Sequence, residues 1–371
     1  MTNEIGYEVD FLPVGDGERS GDAIALRYGN LNGPTEQQTI VTIDGGTVAS
    51  GEALVEHVKK YYGTDRVDMA FLSHPDNDHA SGMRTVVEEL NVRQIVMHLP
   101  WKHSAAVMEM LDDGRVSSSG LSDRAKDELC SAYEIAKLAD EYSIPVIEPF
   151  AGQSTRNGEL VVLGPTSQFY QSMLANFEFM PGAEVEPVTL SFAEMFKTAK
   201  AAVLNMIPET WAWETLADAA DDATSAENNS SVIFLLTIGE KKLLFTGDAG
   251  VLALTTAADY ALLHGISLGG ITFAQVPHHG SRHNVGKTIL NRIFGTPRPA
   301  DDPNWTAFVS ASKDGAPKHP HKKVTNALKR RGARVHVTTG LKKWHYHNAP
   351  KRADFSPVEP IPFFAMVEDD D

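Results

Sequence analysis

Phe71-Leu72-Ser73-His74-Pro75-Asp76-Asn77-Asp78-His79-Ala80-Ser81-Gly82 packs four metal-competent side chains into six positions directly behind an apolar run. Residues 69–72 have the character of a buried strand. Pro75 breaks regular pairing after His74, and Asp78 stands where it would cap a helix over 81–90. A strand-loop-helix corner lets His74, Asp76, Asp78 and His79 converge on one point, which neither a straight strand nor a straight helix allows. The alternative is a polar surface loop with stray histidines, but surface loops rarely stack ligand types behind a buried strand.

Other strand ends deliver residues of the same kinds. Residues 7–13, 23–28 and 39–43 read as strands, the third running into Asp44-Gly45-Gly46. Residues 242–245 end in Thr246-Gly247-Asp248, followed by an apolar helix pattern over 251–263. Residues 271–276 run into Pro277-His278-His279-Gly280-Ser281. Neighbours at a strand end point opposite ways, so only one of His278 and His279 is expected to face a shared ion.

Together these motifs resemble the metallo-β-lactamase fold superfamily. His74-x-Asp76-x-Asp78-His79 is similar to its signature loop, and the Asp in third place resembles the hydrolase domain of ComEC-type competence proteins, where lactamases carry His. Val14-Gly15-Asp16-Gly17, an insertion at 18–21 and Asp22-Ala23 resemble that domain's Val-Gly-x-Gly-Asp-Ala turn. Asn228-Asn229-Ser230-Ser231 is similar to its Asn-Asn-x-Ser, and residues 277–281 to its Pro-His-His-Gly-Ser.

The resemblance runs from Tyr7 to about His347. It implies an α/β fold, a four-layer αββα sandwich with a helical insertion, its site at one edge where strand ends meet. It implies His74, Asp76, Asp78, His79, Asp248 and His279 as metal ligands, with Asp248 bridging. His279 is chosen over His278 by alignment with the lactamases' Pro-Gly-His-Gly. Asp44, Asn229, His278 and Ser281 are expected beside the metal or the substrate. One departure stands out: between His103 and His264 there is no histidine, although dinuclear members supply one in that interval. An Asn amide is a weaker ligand than imidazole, so one metal position is poorly supplied and a mononuclear state is allowed.

Three carboxylates and three imidazoles make a mixed, fairly hard site for one or two divalent ions, Zn²⁺ or Mn²⁺. A metal there would bring bound water near neutrality, giving hydroxide without a strong base. Two ions about 3.5 to 4 Å apart would clamp the attacking and leaving oxygens of a displacement at phosphorus. Asp78 and His319 are the expected catalytic side chains, His319 as a proton donor or phosphate contact. The resemblance implies a nuclease or related phosphodiesterase acting on DNA or a small nucleotide. Hydrolysis of ester, thioester or lactam bonds is the alternative, and a non-catalytic metal-binding module for a partner is a third reading.

The chain is read as one domain over 1–371. Within it, 103–229 is a largely helical insertion (patterns at 105–111, 122–142 and 190–205, interrupted by strand signals at 145–147 and 160–163) forming a wall or lid, and 360–371 is an acidic tail expected to fray. With 33 Lys and Arg against 49 Asp and Glu the net charge is −16, which repels a polyphosphate unless basic residues gather locally. Lys313, Lys318, Lys322, Lys323, Lys329, Arg330 and Arg331 are the one basic concentration, where such a substrate would approach. Residues 260–281 lack acidic and basic carboxylate, amine or guanidine groups, but glycines, His264 and Pro277 interrupt them, so no membrane span is expected. Residues 1–10 hold no charged leader, and Cys130 has no partner for an internal disulfide. A cytoplasmic protein working without a membrane channel is therefore expected.

Overall fold

The computed structural model describes residues 5–15, 20–104, 107, 123–178, 206–313 and 319–369. Apart from Val107, the helical patterns at 105–111 and 190–205 lie outside the described residues, as do Asp16, Gly17 and Lys318.

Alternation along the first strand sorts the layers. In Gly6–Phe11, Tyr7, Val9 and Phe11 join the apolar cluster between two sheets, while Glu8 and Asp10 face the other way. Those two carboxylates are buried and therefore must be paired. Arg27 meets Glu8 at 2.5 Å, and Asp10 receives Arg352 at 2.6 Å and lies 3.1 Å from His57.

The first sheet has the order Lys343–His347, Gly6–Phe11, Ala23–Gly29, Gln38–Gly45, Met69–Phe71, Ile95–Val96, Val146–Ile147. The second runs Ala333–Val337, Trp305–Val309, Ile271–Gln275, Lys241–Phe245, Ile233–Ile238, Leu160–Gly164. Between them Phe71 stacks on Phe234 and Phe234 on Phe245, both at 4.9 Å between centroids. Helices Val48–His57, Met83–Glu89 and Asp123–Glu141 pack on the outer face of the first sheet. Val251–Leu263, Lys287–Phe294 and Lys322–Arg330 cover the second. The result is the expected αββα sandwich.

Register brings the motifs to one edge. Ile43 lies beside Phe71 and Phe71 beside Val96 in parallel strands, so Asp44, Ser73 and His98 leave the first sheet on the same side. In the second sheet Gln275 aligns with Phe308, and Leu244 with Ala274, which releases Thr246-Gly247-Asp248 and Pro277-His278-His279 together. Carboxyl ends of parallel strands are where α/β sheets gather ligands. The backbone of Ser73 ties the two edges, since its carbonyl accepts from Val232 N at 3.0 Å.

Four expectations need correction. The helix over 81–90 capped by Asp78 is two pieces, Asn77–Ala80 and Met83–Glu89, and Asp78 lies inside the first turn while Asp76 takes the capping place. The break falls at Gly82, whose N–H is drawn to the Gly46 carbonyl at 2.9 Å. Within 103–229 the strands expected at 145–147 and 160–163 form as Val146–Ile147 and Leu160–Gly164, but they belong to the two main sheets, so that interval is partly core rather than all insertion.

The acidic tail is not frayed as far as Glu368. Met366–Glu368 pairs with Met206–Pro208, Val367 is fully buried, and the Glu368 carboxylate accepts from Lys322 N at 3.2 Å. It thereby caps a helix that has no side-chain cap of its own, and a negative charge is favoured there. The basic concentration is largely internal: Lys323, Lys329, Arg330 and Arg331 are buried. Arg330 pairs with Glu209 at 2.5 Å and Arg331 with Glu214 at 2.8 Å, so these guanidinium groups hold residues 209–214 rather than a substrate.

Candidate metal centre

A tight turn gathers the first set of side chains. The Asp76 carbonyl accepts from His79 N and Ala80 N, both at 2.9 Å, and the single turn Asn77–Ala80 brings His74 and His79 to 4.2 Å between ring centroids. Below them lies Asp44, fully buried. Its Oδ1 accepts from Ser73 N, and its Oδ2 from Ser73 Oγ and His79 Nδ1, each at 2.7 Å. A carboxylate only accepts, so Ser73 Oγ–H must donate to it, and the same oxygen then accepts from His74 Nδ1 at 2.9 Å. Both imidazoles thus carry their proton on Nδ1 and turn Nε2 inward, the arrangement in which outer carboxylates prepare histidines for a metal.

The second sheet contributes the centre of the cluster. Gly247, at φ 50°, lies where a Cβ would come 2.9 Å from Ser73 Cβ, so the 246–248 turn sits directly against the first loop. Asp248 Oδ2 is then 3.5 Å from His79 Nε2, 3.5 Å from His279 Nε2 and 3.8 Å from His278 Nε2. His279 Nε2 is 4.0 Å from Asp78 Oδ2, and His74 Nε2 is 3.7 Å from Asp76 Oδ2. Strand alternation does not set His278 against His279, although of the two only His279 joins the groups of ligand atoms found within 4.8 Å of one another among the described residues. Both adopt positive φ, 45° and 57°, so strand alternation no longer applies and both rings face Asp248.

Burial opposes charge on Asp248, yet His279, His79 and His278 hold its carboxyl well below the usual range. Burial holds His279 near about 3, a neutral imidazole with a free lone pair. His79 goes the other way, because Asp248 and Asp44 outweigh its burial and raise it well above 6.5, so a second proton is favoured on its inward Nε2 until a cation displaces it.

The remaining expected residues divide. His319 lies at the margin, its ring 6.1 Å from His278 and 6.3 Å from His279, and burial next to His278 lowers it to about 4. Ser281 Oγ accepts from His283 N at 3.3 Å and so braces the loop after His279. Asn229 turns away: its Oδ1 accepts from Ala253 N and its amide donates to Thr224 O. Its neighbour Asn228 faces the site instead, with Nδ2 3.2 Å from His278 Nδ1.

Asp22 was given no role on sequence grounds, although it closes the glycine-rich turn before the second strand. It is 2% exposed, and its ligand oxygen lies within 4.8 Å of ligand atoms of Asp248 and His279, and of Asp44 and His79. Burial, reinforced by Asp248 and Asp44 and opposed by His79, pushes its carboxyl up to about 7.

Residues 37–166 match the model of the metallo-beta-lactamase superfamily. That stretch is similar to the metallo-β-lactamase superfamily. The chain is similar to ComE operon protein 3 of Bacillus subtilis (strain 168), 28% identical over 138 residues, which cover 37% of this chain and 16% of that protein. The chain therefore matches only about a sixth of that relative's length. Among solved structures it is similar to a metallo-beta-lactamase from Hirschia baltica, with 11% identity, 80% of this chain and 96% of that chain covered, and a TM-score of 0.33. A mutant of the CmlA beta-hydroxylase is also similar, at 11% identity, with 91% of this chain and 53% of that chain covered and a TM-score of 0.40.

Divalent ions are typical of this superfamily, and the donor set here fits them. His74 Nε2, His79 Nε2, both ring nitrogens of His279 and Asp248 Oδ1 are buried without a hydrogen-bond partner. Buried polar atoms are seldom left so, and clustered imidazole and carboxylate atoms without donors match a cation. His74, His79 and Asp248 form one group of ligand atoms within 4.8 Å of one another, and Asp78, His79 and His279 form a second. Among the described residues no helix is long and apolar enough to cross a membrane.

Proposed function

We propose that this protein is a metal-dependent phosphodiesterase of the nuclease type. The observation that carries this reading is the Asp248 carboxylate, with three imidazole Nε2 atoms within 3.5 to 3.8 Å of one oxygen and further carboxylates on either side. Such an oxygen-rich set suits a hard or borderline ion better than an all-histidine pocket does. The resemblance of residues 74–79 and 277–281 to the hydrolase domain of ComEC-type competence proteins supports the same reading.

In this reading His74, Asp76 and Asp248 would hold one divalent ion, and Asp78, His79 and His279 would hold a second. Ions bound there act as Lewis acids on a phosphoryl oxygen and lower the pKa of coordinated water. The protein's own part is orientation and charge. Asp44 and Ser73 fix the tautomers of His74 and His79, so their lone pairs are preset before substrate arrives. His319 and His278 line the margin, with His278 steadied by Asn228. His319 is neutral when the site holds no anion, and an arriving phosphodiester favours its protonated form. It then donates to a phosphoryl oxygen or to the leaving alkoxide.

The test is cleavage of bis-p-nitrophenyl phosphate and of labelled single- and double-stranded DNA, after stripping the protein and refilling it with Mn²⁺ or Zn²⁺. Metal-restored cleavage is expected, lost in Asp78→Ala and lowered in His319→Gln by roughly 10² to 10⁴, the range for a general acid or base. Full metal loading with every phosphodiester intact, and turnover of p-nitrophenyl acetate instead, would overturn it in favour of an ester hydrolase.

A further inference from the structure

Asp22 is built into the wall of the metal centre by two contacts. A Cβ on the preceding Gly21 would fall 2.2 Å from the Asp78 carbonyl oxygen, so the backbone entering Asp22 lies flat against the loop that bears Asp78. On its far side Gln275 Nε2 donates to Asp22 Oδ2 at 2.7 Å. The same amide's oxygen accepts from Thr246 N at 2.9 Å and Gly247 N at 3.1 Å, the turn that bears Asp248. One amide therefore sets the spacing between Asp22 and Asp248.

The other oxygen, Asp22 Oδ1, is buried without a well-formed hydrogen bond, although the Ser310 hydroxyl stands close to the carboxyl. Asp22, Asp248 and His279 present ligand atoms within 4.8 Å of one another, and so do Asp22, Asp44 and His79. Two buried carboxylates this close repel each other unless a proton or a cation lies between them. His279 and His79 also belong to the group that includes Asp78, so Asp22 stands on that side of the centre.

We propose that Asp22 is a further carboxylate of the metal position formed by Asp78, His79 and His279, and that it determines the preference of that position for Mn²⁺ over Zn²⁺. The inference rests on the metal-centre reading above. With Asp78 it makes the position rich in carboxylate, and an added oxygen favours an ion of higher coordination number. Zn²⁺, content with four ligands, gains less from it.

The test is calorimetric titration of metal-stripped protein with Mn²⁺ and, by chelator competition, with Zn²⁺, comparing the parent with Asp22→Asn. Asn keeps an oxygen for Gln275 and removes only the charge. Mn²⁺ affinity is expected to fall about tenfold or more, with Zn²⁺ affinity changed less than about threefold. Asp22→Ser, smaller and still able to accept from Gln275, should show the same selective loss, and both should melt no lower than the parent in EDTA. Equal losses for both metals would reduce Asp22 to a positioning residue and overturn the proposal, as would no loss. These outcomes are read from binding alone. A parent that binds both metals yet cleaves no phosphodiester would sink the proposed activity while leaving the role of Asp22 intact.

Discussion

Replacing Asp44 by Asn changes one atom and sets a donor against a donor. The native carboxylate accepts three hydrogen bonds at 2.7 Å, one on Oδ1 from Ser73 N and two on Oδ2 from Ser73 Oγ and His79 Nδ1. If the Asn oxygen faces Ser73 N, its amide N–H₂ meets both Ser73 Oγ–H and His79 Nδ1–H. If the amide is turned round, it meets Ser73 N–H. Either way at least one buried clash remains, costing about 1 to 3 kcal/mol. The cheaper escape is for His79 to move its proton to Nε2 and accept from the amide, which hides the lone pair from Asp248 and from any ion. Loss of such an orienting partner lowers metal affinity about 10- to 100-fold, or roughly 1.4 to 2.7 kcal/mol. Calorimetry with Mn²⁺ and Zn²⁺ measures the affinity, and ¹⁵N chemical shifts of labelled histidine report the tautomer. The reasoning is refuted if Asp44→Asn binds metal as the parent does while His79→Ala does not, or if His79 keeps its proton on Nδ1.

Two further outcomes follow from other buried charges. Burial of Glu227, 4% exposed, pushes its carboxyl from an ordinary 4.5 up to about 7. The folded state thus holds this proton more tightly than the unfolded one, and stability from this group declines as pH rises from about 4.5 to about 7, by up to about 3 kcal/mol. Urea melts in EDTA should show Glu227→Gln gaining on the parent by that order between pH 4.5 and pH 8, and an equal difference at both pH values would count against it. Arg330→Met leaves Glu209 buried without its partner and should cost about 3 to 5 kcal/mol, with metal stoichiometry and KM for a phosphodiester unchanged. A raised KM at unchanged stability would instead restore the basic concentration as a substrate face.

Most of the framework was legible because apolar runs end abruptly at chemistry. Residues 69–72, 242–245 and 271–276 announced strands, and each delivers candidate ligands at its carboxyl end. Strand alternation failed at His278 and His279, since periodicity carries no sign of a residue at positive φ outside glycine. Asn228 and Asn229 were exchanged for a similar reason. They lie in the helical turn Ala226–Asn229, where neighbours point about 100° apart, and only one can face the site. Charge patterns misled where partners are distant in sequence. Arg330 reads as a solvated cation until Glu209, far upstream, is seen to meet it, and Glu368 reads as a loose tail until it caps the helix at Lys322.

Asp22 belongs to a different class of omission. Its glycine-rich turn reads in sequence as a resemblance to a family motif, and nothing along the chain assigns its side chain a role. What gives its side chain meaning is the closure of two sheets. Asp22 and Asp44 come from the first, Asp248 and His279 from the second, and Gln275 bridges them through Asp22 and the 246–248 turn. The centre therefore lies on the seam of the sandwich, and its donor atoms are correctly spaced only when both sheets are packed through Phe71, Phe234 and Phe245. Four carboxylates and several imidazoles buried at such a seam oppose folding on their own, through desolvation and mutual repulsion. An ion that neutralises them is therefore coupled to the packing of the two sheets, so metal affinity and sandwich stability must rise and fall together.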